Sequence, residues 1–287
     1  MRFELQCRDG YRLQGHAWPH RGDFAGTVII NPATGVLARY YHRYAAFLAE
    51  RGFAVITYDY RGIGLSRPDK MRGAGFRWRD WGELDFDAAI TWARAHNPEG
   101  PLMVVGHSIG GFLPGFAPQA GRIDRMLTVG AQYAYWRDYA AGRRLAMVVK
   151  WHVVMPALTA VFGYFPGRRL GWLEDLPAGV ANEWSFRRAA MEASYPAQER
   201  ALVRERFTAV RAPILAIGTT DDEYGTPQAI ARGLAYYQGS ERTQVLLSPA
   251  DLGVNEIGHF DLFHSRHAGR FWPLTCEWLA KGVNPWG

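Results

Sequence analysis

The sequence of 287 residues is poor in cysteine, with only Cys7 and Cys276. Two cysteines cannot build a disulfide scaffold or a CxxC zinc site, and free thiols are typical of a reducing compartment. The first six residues contain no apolar run of the kind that a secretory signal needs. These absences predict a cytoplasmic protein whose length allows a core that needs no disulfide or structural metal.

An excess of one charge is also missing. The chain has 33 Lys and Arg residues against 27 Asp and Glu residues, which leaves a net charge of +6. The basic residues are scattered and form no stripe with interleaved aromatic residues, so a nucleic-acid partner is not expected. Hydrophobic residues make up 48% of the chain and charged residues 21%, which excludes wholesale disorder.

Long hydrophobic runs are absent except for residues 145–165, which approach the ~20 residues that a membrane-spanning helix needs. The run contains Lys150, His152 and Pro156. Because a charge at the centre of a bilayer is costly, the sequence predicts a buried or pocket-lining helix and no integral membrane span. The alternative is that 145–165 contacts a membrane surface.

Short apolar runs alternate with helical segments along most of the chain. The runs predict six strands, at 27–31, 53–58, 102–105, 126–130, 213–217 and 243–247. The intervening patterns predict helices at 40–50, at 81–96 with Asp80 as N-cap and Glu83 in a capping box, from Thr226–Pro227, and at 272–281. This alternation indicates an α/β fold with a mostly parallel sheet that helices cover on both faces.

One stretch interrupts the alternation. Residues 132–207 contain no convincing strand and are rich in Trp, Tyr, Arg and Pro. We interpret them as a helical cap inserted into a core formed by 1–131 and 208–287. The cap has many aromatic residues and an excess of basic ones, which would suit an aromatic pocket with a basic rim. The simpler interpretation is that the aromatic residues pack in the core and the basic ones face solvent.

The sharpest local signal is Gly106-His107-Ser108-Ile109-Gly110, directly after a predicted strand. In a G-x-S-x-G motif the serine sits on a tight strand-to-helix turn with its hydroxyl exposed, and the glycines avoid collisions at that turn. The amide of Ile109 would then point to the place where an oxyanion develops. Ser108 is therefore the candidate nucleophile, and His107 is expected to point away from the site and pack.

A serine nucleophile needs a base, and the base needs a carboxylate that orients it. The strand at 213–217 runs towards Asp221 and Asp222. Counting from Pro213 favours Asp222, which we prefer, whereas counting from Gly218 favours Asp221. His259, in a loop beyond the last strand, is the candidate base.

Two further histidines, His264 and His267, follow His259 closely. Their spacing matches no zinc pattern, and no cysteine or acidic ligand completes a set. We therefore expect neither a metal nor a cofactor.

A second oxyanion donor is expected in the loop after the first predicted parallel strand, at Ala33 or Thr34. The alternative is a plain turn, because proline and glycine in this loop would predict one by themselves.

These features together resemble the α/β-hydrolase superfamily, and the likeness is closest to a group of functionally uncharacterised bacterial α/β-hydrolases with a helical cap. The residues that carry it extend over nearly the whole chain, at 31–36, 40–41, 52–53, 58–66, 175–184 and 258–263. The resemblance implies a triad of Ser108, His259 and one of Asp221 and Asp222, together with a cap. The chain departs from the commoner His-Gly oxyanion loop, since it has Asn31–Pro32 there.

The sequence therefore predicts a serine hydrolase that cleaves an ester of a small-molecule acyl substrate through an acyl-enzyme. An acyltransferase or a thioesterase would use the same triad. A ligand-binding protein that keeps this fold with little or no turnover is the alternative from another class.

Overall fold

A computed structural model describes residues 1–287. Its centre is an eight-stranded sheet with the order β1-β2-β4-β3-β5-β6-β9-β10, in which a separate two-stranded pair, β7-β8, takes no part. The strands span Arg2–Gln6 (β1), Arg12–Trp18 (β2), Gly26–Asn31 (β3), Phe53–Tyr58 (β4), Leu102–His107 (β5), Arg125–Val129 (β6), Tyr164–Phe165 (β7), Leu176–Pro177 (β8), Ile214–Thr219 (β9) and Arg242–Leu247 (β10). Strand β2 runs antiparallel to both of its neighbours, β1 and β4, and the six strands β4, β3, β5, β6, β9 and β10 are parallel to one another.

The six parallel strands are the six that the sequence predicts, each within two residues of its expected limits. Every residue of β3 and β5 is buried, as expected for strands in the middle of a sheet covered on both faces. The prediction missed β1 and β2. In this edge hairpin Leu5 and Leu13 are fully buried while most other side chains are exposed or half-buried, so the apolar signal is weak.

Helices lie on both faces of the sheet. They span His42–Ala49 (α1), Trp78–Asp80 (α2), Asp87–His96 (α3), Ile109–Phe112 (α4), Arg144–Val148 (α5), Met155–Phe162 (α6), Gly167–Leu170 (α7), Ala178–Ser185 (α8), Ala197–Ala209 (α9), Pro227–Leu234 (α10) and Phe271–Lys281 (α11). Side chains alternate along β3, so Val28 and Ile30 pack in one core cluster with residues of α1 and α11, and Ile29 packs in the other with α3.

The start predicted for the second helix is wrong. That helix begins at Trp78, continues through a π-helical segment at Trp81–Phe86 and leads into α3. Because it starts a turn early, Asp80 lies in its first turn and accepts the Arg77 amide at 2.8 Å. The carboxylate of Glu83 binds arginine side chains, including that of Arg79 at 2.7 Å, and forms no capping box.

The segment 132–207 lies between β6 and β9 and adds no strand to the large sheet. It holds α5 to α8 and most of α9, and it also contains the antiparallel pair β7-β8. This pair departs from the expectation of a strand-free stretch. Strands of two residues are too short to produce a period-2 pattern, so the sequence could not indicate them.

Residues 144–162 form one continuous helix of α5, a π-helical segment at Val149–Val154, and α6. This helix is the one element long and apolar enough to cross a membrane by length and composition, criteria that core helices of proteins outside membranes also meet. Its inner side chains are buried at a spacing of four residues: Met147, Trp151, Met155 and Thr159. The helix is not buried on all sides. Its outer face carries the exposed side chains of Leu145, Val149, Val153 and Val161.

Candidate active site

Ser108 occupies the turn between β5 and α4 with φ 54° and ψ −126°. A positive φ is uncommon for a residue with a side chain, so the surrounding structure must hold this geometry. The Ser108 amide donates to the Val129 carbonyl at 2.8 Å, and the Ser108 carbonyl accepts from the Gly111 amide at 3.0 Å. These bonds fix the serine at the carboxyl edge of the sheet.

The glycines of the motif are required by close backbone contacts. A Cβ on Gly106 would lie 2.3 Å from the Cα of Gly111, and a Cβ on Gly110 would lie 2.2 Å from the carbonyl oxygen of Asn31. Both distances are far below a van der Waals contact, so no larger residue fits. The glycine spacing read from the sequence therefore has a steric cause.

His259 and Asp222 form a buried pair, with Nδ1 of the imidazole 2.7 Å from Oδ2 of the carboxylate. The other carboxylate oxygen accepts the amides of Tyr224 at 2.7 Å and Gly225 at 2.8 Å. Burial favours the neutral acid, but His259 and the two amides outweigh it and hold the pKa of Asp222 below its usual value. An ionised Asp222 can accept the Nδ1 proton and leave Nε2 as a proton acceptor.

Asp221 lies elsewhere, and its Oδ2 accepts the Ile257 amide at 2.8 Å. The structure thus brings Asp222 and not Asp221 to His259, and Asp221 fixes the loop that carries the histidine. Asp222 accepts amides two and three residues ahead, an Asx-type turn that Gly225 permits.

The two candidate donors in the loop after β3 differ in what they bind. The Ala33 amide donates to the Tyr41 hydroxyl at 3.0 Å, so it is not available to a substrate. Thr34 lines the cavity beside Ser108, and its amide makes no hydrogen bond within the protein. Ile109, at the start of α4, also lines the cavity, and amides in a first helical turn have no acceptor within their helix.

His107 packs away from the cavity as expected, but it also joins four parts of the site. Its Nε2 lies 2.8 Å from the His259 carbonyl, and its Nδ1 lies 2.7 Å from the Tyr41 hydroxyl. Because a carbonyl only accepts, Nε2 must carry the proton, and the tyrosine then donates to Nδ1. The chain of bonds runs from Ala33 through Tyr41 and His107 to His259. Sequence reasoning missed this link, because no local pattern joins Tyr41 to His107.

A cavity of about 400 Å³ lies over these residues. Ser108 and His259 line it, and 12 of its 18 lining residues are hydrophobic. Its aromatic side chains come from both the core and the segment 132–207: Tyr40, Trp78, Trp151, Trp172, Trp184, Tyr224 and Phe260. Lys150 is the only lysine or arginine in the lining, so the other basic residues of the segment do not form the rim that the sequence suggested.

Tyr224 connects the segment 132–207 to the histidine. Its hydroxyl accepts from the indole Nε1 of Trp151 at 3.2 Å, and its ring centroid lies 5.0 Å from that of His259. The ring of Phe260 also contacts the imidazole, with a centroid distance of 4.9 Å. The imidazole therefore contacts two aromatic rings, and the ring of Tyr224 is bonded to the helix at 144–162.

The structure contains no group of three or more His, Cys, Asp and Glu side chains that could hold a metal ion. His267 bonds to Asp261, and the side chain of His264 accepts the Arg266 amide at 3.3 Å. Neither histidine forms a cluster with His259.

A mostly parallel sheet with a strained serine after its central strand, and with a His–Asp pair on loops after later strands, defines an α/β-hydrolase. A family model described as "Serine aminopeptidase, S33" matches residues 22–248, and the chain belongs to this family of hydrolases. A comparison with curated proteins gave no match.

Solved structures of the same fold cover nearly the whole chain. A monoglyceride lipase from Saccharomyces cerevisiae is 16% identical with a TM-score of 0.69, over 98% of this chain and 95% of that one. An esterase from Pyrococcus furiosus is 15% identical with a TM-score of 0.63, over 97% and 90%. A monoacylglycerol lipase from Paleococcus ferrophilus is 14% identical with a TM-score of 0.59, over 94% and 99%. At these identities the likeness establishes the fold.

The buried state of His107 predicts a pH dependence of stability. Burial lowers the pKa of His107 from 6.5 to about 3, so the folded protein keeps this imidazole neutral while the unfolded chain protonates it. Its contribution is complete above pH ~6.5 and is lost as the pH falls towards ~3, at about 1.4 kcal/mol per pH unit. The free energy of unfolding can be measured with urea for the parent and for His107→Gln between pH 7.5 and 4.5. We expect it to fall less steeply with decreasing pH in the variant.

The control is His264→Gln, which replaces an exposed histidine. Equal slopes in the parent and in His107→Gln would contradict the prediction.

Proposed function

We propose that this protein cleaves carboxylic esters with Ser108 as nucleophile, His259 as base and Asp222 as the orienting acid. The observation that carries the proposal is the combination of a strained Ser108 with a buried His259–Asp222 pair, where serine and histidine line one cavity. Each part fits the role that a Ser-His-Asp mechanism requires of it.

The reaction begins when the hydroxyl oxygen of Ser108 attacks the ester carbonyl and Nε2 of His259 takes the hydroxyl proton. The tetrahedral intermediate collapses, and the same proton passes to the departing alkoxide, which leaves as the alcohol. Water then attacks the acyl-serine with His259 again as base, and the carboxylic acid is released. Throughout, Asp222 stabilises the imidazolium and fixes its orientation.

The amides of Ile109 and Thr34 are the proposed donors to the oxyanion. Ile109 lies directly after the nucleophile at a helix start, where the helix dipole also favours negative charge. Thr34 follows Ala33, whose own amide is held by Tyr41. The bond at Ala33 therefore fixes the loop while leaving the next amide for substrate.

The lining supports a small substrate with an apolar acyl part. The cavity is about 400 Å³, a size typical of small-molecule sites, and mostly hydrophobic. We propose that residues 132–207 act as the cap, because Trp151, Trp172 and Trp184 form one wall of the cavity. The names of the similar lipases and esterases point to the same substrate class.

An acyltransferase or a thioesterase would need the same residues, and no observation favours either of them. The family description names an aminopeptidase, so an amide belongs in the substrate panel. The ligand-binding alternative predicts an unreactive serine, which a labelling experiment can detect. The location in the cell stays a prediction.

The triad can be tested with a fluorophosphonate probe and a panel of 4-nitrophenyl esters, thioesters and anilides. We expect the parent to be labelled on Ser108, as read by intact mass and peptide mapping, and Ser108→Ala to show no label. Asp222→Asn should lose roughly 10³–10⁴-fold in kcat, because the imidazole loses its orienting anion. Asp221→Asn is the matched control and should lose at most a few-fold.

A folded parent that takes no label and turns over no ester would overturn the proposal and favour the ligand-binding alternative. If kcat is lost in Asp221→Asn and retained in Asp222→Asn, the assignment of Asp222 as the orienting acid is wrong.

The bond chain through Tyr41 can be tested with Tyr41→Phe. Without the hydroxyl, the Ala33 amide and Nδ1 of His107 lose their partner, which should lower kcat/KM for an ester roughly tenfold or more, since an unsatisfied buried polar group costs ~1–3 kcal/mol. Tyr44→Phe is the matched control, because Tyr44 lies in α1, which Tyr41 directly precedes, is equally buried and bonds Thr275 at 2.7 Å. It should lose stability but retain kcat/KM.

Equal losses of kcat/KM in the two tyrosine variants, with denaturation curves showing both folded, would contradict a specific role for the hydrogen bonds that link Ala33 to His259.

We also propose that the outer face of the helix at 144–162 contacts membrane surfaces. Its exposed apolar side chains favour this contact, and Arg144 at its start would favour anionic lipids. We expect the protein to co-sediment with phosphatidylglycerol vesicles and the double variant Val149→Glu/Val153→Glu to lose most of that binding. Val283→Glu, which changes an exposed valine elsewhere, is the control and should keep it.

A parent that stays in the supernatant at low ionic strength would contradict membrane contact and leave the hydrolase proposal untouched.

A further inference from the structure

Lys150 places a cation in the wall of a mostly apolar cavity. Its Nζ lies 4.5 Å from the ring centroid of Trp151 and 4.3 Å from that of Trp172. The cavity is the one that Ser108 and His259 line, and no aspartate or glutamate lines it. The two indoles hold the ammonium group by cation–π contacts and limit its freedom.

No carboxylate forms an ion pair with Lys150. Glu223 is near enough to act on it electrostatically, but its carboxylate binds the Arg143 guanidinium at 2.9 Å. Asp222, the other acid near the cavity, is bound by His259. The positive charge of Lys150 is therefore not neutralised by a direct contact within the protein.

Two fully buried cations of this protein are each paired with a carboxylate. Arg61 binds Asp85 at 2.6 Å, and Arg187 lies 3.6 Å from Glu183. Lys150 is only partly buried and has no carboxylate partner, so its ammonium group in the cavity wall is available to an anionic group of a ligand. Burial also lowers the pKa of Lys150, which fits a charge that is only partly compensated.

The backbone at Lys150 has an unusual form as well. The residue lies in the π-helical segment Val149–Val154, and such segments occur frequently at functional sites. Here the segment also carries Trp151, whose indole binds Tyr224 beside His259. The lysine and the histidine thus belong to one connected wall.

We propose that Lys150 recognises an anionic oxygen group of the substrate, so that the preferred substrates are esters with a carboxylate at the end remote from the scissile bond. This inference rests on the proposed esterase function. The aromatic walls would hold the apolar part of such a molecule, Ser108 would attack its ester carbonyl, and Lys150 would pair with its free carboxylate. Lys150 is in this sense a specificity residue and takes no part in bond breaking.

The test compares two pairs of esters that differ only in charge. One pair is the mono-4-nitrophenyl ester of suberic acid and its methyl ester, with the charge in the acyl part. The other is 4-butyryloxybenzoate and its methyl ester, with the charge in the alcohol part. Values of kcat/KM are measured after subtraction of spontaneous hydrolysis for the parent, Lys150→Met, Lys150→Gln and Lys150→Arg.

We expect the parent to prefer the charged member of at least one pair. Lys150→Met and Lys150→Gln should each lose roughly ten- to hundred-fold of that preference, the range of a charge-assisted hydrogen bond, with the methyl esters changed at most a few-fold. Lys150→Arg should retain part of it. Lys281→Met removes an exposed lysine that pairs with Glu277, and it should match the parent.

A parent that cleaves both members of both pairs equally well would overturn the inference and leave the esterase function standing. A preference that survives in Lys150→Met and Lys150→Gln would overturn it too. A parent that cleaves none of the four esters and takes no fluorophosphonate label would overturn the proposed function and the inference with it.

Discussion

The site depends on a buried chain of hydrogen bonds through His107. This imidazole donates to the backbone of His259 and accepts from Tyr41, which in turn receives the Ala33 amide. The chain joins the loop after β3, the turn that leads into α1, the strand β5 and the loop after β10. Ala33, Tyr41 and His107 are buried, so the loss of one bond in the chain would leave a polar group of its neighbour unsatisfied and shielded from water.

The turn at Ser108 is the second constraint, and it is mechanical. A side chain at φ 54° is tolerated because the backbone around it is pinned to β6 and packed without space for a Cβ at Gly106 or Gly110. The same tight packing brings the His259–Asp222 pair against the sheet edge. A Cβ on Gly130, after β6, would lie 3.0 Å from Asp222 Oδ2 and from Cε1 of His259.

The fold was predictable where side-chain burial repeats along the chain. The six parallel strands are continuous apolar runs because both of their faces are covered, and such runs are visible in a sequence. The hairpin β1-β2 and the short pair β7-β8 were not predictable, because one lies at the edge with few buried apolar residues and the other is too short for any period. The helix start at Trp78 was missed because Asp80 and Glu83 have the spacing of a capping box. In the structure Asp80 accepts the Arg77 amide and Glu83 binds Arg79.

By itself the sequence determined the parallel sheet, the position of Ser108 and the steric need for its flanking glycines, because these depend on neighbours along the chain. Only the tertiary structure decided between Asp221 and Asp222, whose roles differ by which carboxylate meets a histidine 37 residues away. It also decided that the Ala33 amide is already bonded, and that Lys150 alone among the basic residues of its segment lines the cavity. Such contacts between residues remote in sequence follow from the packing of elements against one another, and no local pattern encodes that packing.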